Sequence, residues 1–315
     1  MSTLVISLDF EMFWGVAESR TISEYGRNVE GVWEAIPKIL SMFQKYDVRA
    51  TWATVGMLMC RNHAEWREIR PTSYPGYIQP GYSTYELDSM AKDYPNLFFA
   101  RPLIEKILTI DGQEVASHTY SHFYCGAEGA TPAQFAADLQ CARHIAAEIG
   151  VTMRSIVFPR NQVLKDFVSE ISSIGIDTYR GNPEHRLYRN GHFVPGGIVG
   201  RALRYLDSWV PLTGNHNARV IKDDGLLNVP ASLFLRPCPS NESLLERRRL
   251  RRILQSMSNA AENDRICHIW WHPHNFGIET HKNLAFLEKI LEHYRYLRDR
   301  YGMCSASMGD LSILS

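Results

Sequence analysis

Three short clusters hold the residue types that bind metals and move protons: Asp9 and Glu11 in "SLDFE", His118 and His122 in "SHTYSH", and His272 and His274 in "WWHPHNF". Burying "LVISL" in a central strand leaves the two carboxylates at the mouth of the fold, where a metal ion or an arginine must offset their charge. The alternative has Asp9 capping the next turn and Glu11 solvated. H-x-x-x-H sets two imidazoles one turn apart if the segment coils, a spacing that lets both bind one ion. Two histidines and one carboxylate leave open positions for water and substrate, as a catalytic zinc or iron site requires. An isolated H-x-x-x-H is equally compatible with two core or capped histidines. His274 either orients His272, binds substrate, or hydrogen-bonds a loop carbonyl.

Position strengthens the chemical reading, because each cluster follows a β-like run. "TLVISLDF", "RATWATVG", "QEVASH", "RSIVFP", "IDTYRG", "GLLNVPAS", "RICHIWWH" and "MCSASM" read as strands, alternating with helical patterns near residues 32–43, 101–112, 131–149, 162–174, 243–257 and 284–302. Strands alternating with helices imply a mostly parallel sheet. In such folds the carboxyl ends of the strands share the face that carries the site. We expect an α/β fold, a TIM-like (β/α) barrel of seven to eight mostly parallel strands, forming one domain over residues 1–315. The Pro-, Gly- and Tyr-rich stretch around residues 61–100 reads as a loop-rich excursion over one end.

Composition narrows the partners. In 315 residues with 45% hydrophobic content, 34 Lys and Arg balance 34 Asp and Glu, so no global charge draws the chain to nucleic acid or to an anionic membrane. The N-terminus reaches Asp9 before a signal-peptide core could form, and no apolar run approaches the ~18 residues of a membrane span. The expected location is the cytoplasm, and the six scattered cysteines are expected to be reduced thiols. One local exception is Arg247, Arg248, Arg249, Arg251 and Arg252 on a single helix. They form either a solvated basic face or a contact with substrate phosphates or an anionic membrane surface.

Together "SLDFE", "SHTYSH" and "WWHPHNF", with "VRATWATVG" and "ASMGDL" between and beyond them, resemble the ordered motifs of the polysaccharide deacetylases, carbohydrate esterase family four. The resemblance implies a distorted (β/α) barrel and removal of acetyl groups from sugars with one divalent metal ion. Zinc is the first expectation, with cobalt, nickel, manganese and iron as alternatives. Carried over by position, Asp9 is the general base, His272 the general acid, and Glu11, His118 and His122 the metal ligands. Arg160 in "FPRNQ" falls in the third motif and is expected to pair with Asp9. Trp271, with Trp270, is expected to wall the pocket that His274 and Tyr124 also shape. This chain departs from the common adjacent-aspartate motif by its D-x-E form. A cytoplasmic member of the family points to an acylated amino sugar on a nucleotide or lipid carrier, a precursor of a surface glycan.

Two other readings begin from the same residues. D-x-E after a strand also resembles DEDD-type exonucleases, with His216 to Asp224 as a loose echo of their last motif. "HPH" could be the H-x-H metal pair of amidohydrolases, although it lies on a late strand rather than the first. A catalytically inactive, carbohydrate-binding relative is the remaining alternative.

Overall fold

The computed structural model describes residues 1–188, 197–239 and 244–314. One curled sheet organises them. Its strands are β1 (Thr3–Phe10), β2 (Ala50–Thr54), β3 (Gln113–Ser117), β4 (Ser155–Ile156), β5 (Thr178–Tyr179), β6 (Ile221–Asp223), β7 (Leu226–Asn228), β8 (Leu233–Phe234), β9 (Ile266–Trp271) and β10 (Cys304–Ala306). The order is β6-β7-β5-β4-β3-β2-β1-β9-β8, and β10 pairs with the first residues of β1. Every strand pairing is parallel except β6 with β7. The result is a half-barrel, consistent with the expected distorted TIM-like barrel.

β1 lies at the centre because it can be buried on both faces. All eight of its residues are buried, the near-continuous apolar run of a parallel strand covered on both sides. Its polar exception is satisfied internally: Ser7 Oγ lies 2.8 Å from His268 Nε2 and accepts from Arg180 Nη1 at 2.9 Å. The expected helices form, including Val32–Tyr46, Arg101–Leu108, Pro132–Glu148, Leu244–Glu262 and Thr280–Tyr301, and Ile22–Glu30 and Gly197–Asp207 form in addition. Pro132–Glu148 starts on a capping box in which Thr131 Oγ1 accepts from Gln134 N and Gln134 Oε1 accepts from Thr131 N. Thr280–Tyr301 stops at Gly302, whose φ of 69° is left-handed.

The excursion after residue 61 carries short helices, His63–Glu68, Asp88–Asp93 and Pro95–Phe98, and it backs the site. Trp14, in the turn after Glu11, packs on Trp66 and Phe98 with ring centroids 5.3 and 4.6 Å apart, and its Nε1 donates to Phe98 O at 2.6 Å. The sheet has more strands than expected, because β8 pairs with β9 and β6 adds an antiparallel hairpin to β7. Its turn is Asp224-Gly225, both at positive φ, the geometry a two-residue hairpin requires. Among the described residues all six cysteines are unpaired. No described helix is long and apolar enough to cross a membrane.

The basic helix also differs from its expected form. On Leu244–Glu262, Arg247, Arg248 and Arg251 are exposed, whereas Arg249 and Arg252 are buried beside Ile253 and Met257. A membrane-facing surface of five arginines is therefore excluded, and three remain outside.

Candidate metal and catalytic site

The three clusters meet at the carboxyl ends of β1, β3 and β9. Asp9 is the penultimate residue of β1 and Glu11 follows the strand, while His118 follows β3 and His272 follows β9. Glu11, His118 and His122 converge so that their ligand atoms all lie within 4.8 Å of one another, and all three residues are buried. His122 Nε2 is 3.0 Å and His118 Nε2 3.4 Å from Glu11 Oε2.

The histidines do not sit on a helical turn. Residues 118–123 form a loop in which Thr119 and His122 adopt positive φ. Asp138, buried on the helix Pro132–Glu148, fixes this loop by accepting from Tyr120 N at 2.6 Å, from Ser121 N at 3.1 Å and from Ser121 Oγ. Thr119 Oγ1 accepts from Phe123 N at 2.7 Å. Met12, Arg160 and Asn161 add further positive-φ residues around the site, a clustering typical of functional loops.

Tautomers follow from the outer hydrogen bonds. His118 Nδ1 donates to Val157 O at 2.8 Å, which leaves the Nε2 lone pair directed at the cluster. His122 Nδ1 lies 3.2 Å from Tyr124 Oη, and with that nitrogen protonated its Nε2 also presents a lone pair. Burial lowers the pKa of His122 and favours the neutral, ligating form. Burial alone would raise the Glu11 carboxyl, but the imidazoles of His272, His122 and His118 hold it well below the usual carboxylate range. Two donors ~2.1 Å from a tetrahedral ion lie about 3.4 Å apart. The separations of 3.0 and 3.4 Å therefore suit a divalent ion held by two neutral nitrogens and one carboxylate.

Asp9 faces the cluster but is held by Arg180. Its two oxygens accept from Arg180 Nη1 and Nη2 at 2.7 and 2.8 Å, a bidentate pair. Burial would raise this carboxyl too, and the guanidinium overrides it, holding Asp9 below its ordinary value. Arg180 is itself fixed by Asn161 Oδ1 at 2.8 Å and by the Trp270 ring, 4.3 Å from its guanidinium. The expected Arg160–Asp9 pair is thus corrected. Positive φ at Arg160 and Asn161 turns the chain after β4 so that Asn161 reaches Arg180. Arg160 instead pairs with Glu18 and lies 4.0 Å over the Tyr124 ring on the cavity wall. Arg180 was the residue missed in sequence, although it directly follows β5 and obeys the same strand-end rule as the others.

His272 closes the opposite side. Its Nε2 is 3.8 Å from Asp9 and 3.6 Å from Glu11, its side chain is 23% exposed, and its ring stacks on His274 at 4.9 Å. Burial pushes the His274 pKa down to about 3, so that ring is neutral. A cavity of about 320 Å³ opens here, lined by Asp9, Glu11, His118, His122, His272 and His274 among others.

Trp271 does not wall it. Alternation along β9 sends His268 and Trp270 to the side of Ser7 and Asp9, and sends Trp271 into the core against Phe43 and Phe276. Trp270 takes the cavity wall instead, and Tyr124 is a buried support for His122 rather than part of the lining. The exonuclease echo fails in space: His216 contacts Thr213 at 2.6 Å and packs on Tyr188, and it does not line the cavity of Asp9 and Glu11. The "HPH" pair likewise stands outside the ligand cluster.

Residues 30–179 match the family model described as polysaccharide deacetylase. Just under half of the chain is thus similar to that family. The matched segment contains His118, His122 and Arg160, whereas Asp9, Glu11 and His272 lie outside it and join the site through the fold. No curated protein sequence matches. Among solved structures, a candidate polysaccharide deacetylase from Mycobacterium smegmatis superposes with a TM-score of 0.62 at 12% identity, covering 99% of this chain and 90% of that one. The alpha-amylase AmyC from Thermotoga maritima gives 0.57 at 11% identity, covering 100% and 74%. A GH57-type branching enzyme from Pyrococcus horikoshii gives 0.53 at 10% identity, covering 98% and 69%. At such identities the likeness is one of fold.

Proposed function

We propose that this protein is a polysaccharide deacetylase, a metal-dependent hydrolase acting as one catalytic domain, that removes an N-acetyl or other small acyl group from an amino sugar. The substrate is carried on a nucleotide or lipid phosphate as a precursor in surface-glycan assembly, and the location is the cytoplasm. The observation that carries the reading is the convergence of Glu11, His118 and His122, with Asp9–Arg180 and His272 flanking one open cavity. Glu11, His118 and His122 would hold the ion, zinc being the first expectation for two nitrogens and one oxygen. Bound there, a divalent ion supplies Lewis-acid polarisation of the acyl carbonyl and lowers the pKa of water.

The chain's own residues supply the proton chemistry. Asp9, kept ionised by Arg180, takes the proton of the attacking water as general base. His272, the most accessible of these groups, gives a proton to the departing amine. His274 stacks beneath His272 and sets its orientation, a positioning role. Trp270 and Phe234 offer apolar faces to a sugar ring.

Elemental analysis of the purified protein, with His118→Ala and His122→Ala as controls, tests the ligand set. We expect one divalent ion per chain in the wild type and depletion in both variants, together with acetate release from acetylated amino sugars by the wild type alone. Equal metal content in all three proteins sinks the reading. Metal retention without release of any acyl group identifies an inactive, carbohydrate-binding relative.

A further inference from the structure

A second cavity, about 280 Å³, adjoins the catalytic one and shares Asn161, Phe234, Trp270 and His272 with it. Its wall is strongly basic: Arg204, Arg236, Arg249 and Arg252 face one carboxylate, Asp207. Asp207 is already engaged, accepting from Arg252 Nη2 at 2.8 Å, Tyr188 Oη at 2.6 Å and Thr213 N at 2.9 Å. Arg249 pairs with Glu246 and donates to Pro237 O at 3.1 Å. Arg236 has no carboxylate partner among the described residues, its guanidinium lying 5.2 and 5.5 Å from the Tyr205 and Phe234 rings. Arg249 and Arg252 are 4% and 5% exposed, and the Nε of each is buried without an acceptor among the described residues.

Guanidinium groups gathered out of water are costly unless anions complete them, and among the described residues Arg236, Arg249 and Arg252 meet two carboxylates, Glu246 and Asp207. Planar donor forks match the oxygens of a phosphoryl group. Adjacency limits where on a sugar that group would be. The two cavities meet at His272, Trp270 and Phe234, and on a 2-acylamino pyranose the amide nitrogen and the anomeric oxygen sit on neighbouring carbons. With the amide at the catalytic cluster and the ring against Trp270, a substituent on the anomeric oxygen points into the arginine cavity.

We propose that this cavity is a subsite for the phosphoryl group on the anomeric oxygen of the substrate, held by Arg236, Arg249 and Arg252. The proposal rests on the deacetylase reading for the orientation of the sugar, but its test is made by binding. Calorimetry with glucosamine 1-phosphate and with methyl glucosaminide, which lacks the phosphoryl group, should show the phosphate bound at least about ten-fold more tightly, as charge-assisted hydrogen bonds imply. Arg236→Gln and Arg249→Gln should each remove most of that preference with unchanged circular dichroism, and raised salt should weaken it. Arg248→Gln, on the exposed side of the same helix, should keep it. Equal binding of the two ligands, or a preference surviving both variants, overturns the subsite.

Acetate release separates the two claims. Turnover of a neutral N-acetylglucosaminide with no gain from a 1-phosphate overturns the subsite and leaves the deacetylase reading standing. Phosphate-selective binding without turnover supports the subsite and overturns that reading. Parallel assays of uridine diphosphate N-acetylglucosamine and a farnesyl diphosphate-linked analogue identify which carrier the phosphoryl group belongs to.

Discussion

Gly15 decides whether Glu11 can be a ligand. A Cβ at this position would lie 2.1 Å from Glu11 Cδ, so the carboxylate rests where only glycine leaves room. Gly15→Ala should push the carboxylate off His118 and His122 and weaken divalent-metal affinity by about 10- to 100-fold, the range seen when ligand support is lost. Calorimetric metal titration, with circular dichroism as the fold control, checks this; unchanged affinity would separate Glu11 from the metal. Arg180 sets the other carboxylate. Arg180→Lys keeps the charge but loses the fork that grips both oxygens of Asp9, and kcat should fall about a hundredfold, within the ~10²–10⁴ that a general base supplies. Steady-state kinetics should show the loss in kcat with KM little changed. Asp9, Glu11, His118 and His122 were visible in sequence because chemical type and strand-end position coincide. The expected Arg160–Asp9 pair failed, and Arg180 was missed, because two positive-φ residues after β4 redirect the chain, and local turn geometry of that kind leaves no periodic signal. Trp270 and Trp271 were expected on one wall, but neighbouring residues on a strand face opposite sides, so only Trp270 reaches the cavity.

His268 ties three strands together, and its protonation state is set by a chain of donors. Arg180 Nη1 donates to Ser7 Oγ on β1, Ser7 Oγ then donates to His268 Nε2 on β9, and His268 Nδ1 faces Val229 O just beyond β7 at 3.3 Å. Burial, with the neighbouring Arg180 charge, pushes the His268 pKa down to about 3. An unfolded imidazole titrates near 6.5. Below pH 6.5 the unfolded chain therefore takes up a proton that the folded one refuses. The stability that depends on neutral His268 is present above pH 6.5 and is lost as pH falls towards 3, by up to about 1.4 kcal/mol per pH unit. His268→Gln preserves a donor and an acceptor but cannot titrate, so its stability should fall less steeply than that of the wild type. Urea unfolding at pH 7, 5.5 and 4 measures the two slopes, and parallel slopes would remove His268 as the source. The elements themselves were largely legible, since long apolar periodicity marked β1, β9 and the major helices. The β6–β7 hairpin was not, although Asp224-Gly225 carries its turn signal, because its flanking runs are three residues each and too short for alternation to register. Arg249 and Arg252 were read as surface because they are charged, yet they share the buried stripe of Ile253, Ser256 and Met257, where Glu246 and the sequence-distant Asp207 meet them.

At the scale of the whole molecule the ligand cluster is a cross-link. Glu11 leaves the central strand β1, whereas His118 and His122 follow β3, two strands away across β2, so an ion held by all three joins segments that are 107 or more residues apart, the separation of Glu11 and His118. A group that binds only the folded chain stabilises it by RT ln(1 + [L]/Kd), about 2.7 kcal/mol when free metal exceeds Kd a hundredfold. Without the ion, the Glu11 carboxylate stays buried between two imidazoles that need not be protonated, and its charge is less well offset. Chelation should therefore lower the melting temperature by several degrees, at roughly 2–4 °C per kcal/mol or somewhat less in a chain of this size. Restoring zinc should recover it. In His118→Ala and His122→Ala the shift between chelated and zinc-loaded protein should vanish, because those chains retain too few donors to hold the ion. Differential scanning calorimetry of the three proteins with and without chelator decides the matter. A wild-type melting temperature indifferent to chelator, in protein shown to contain metal beforehand, would place the ion elsewhere and break the link between the cluster and the fold.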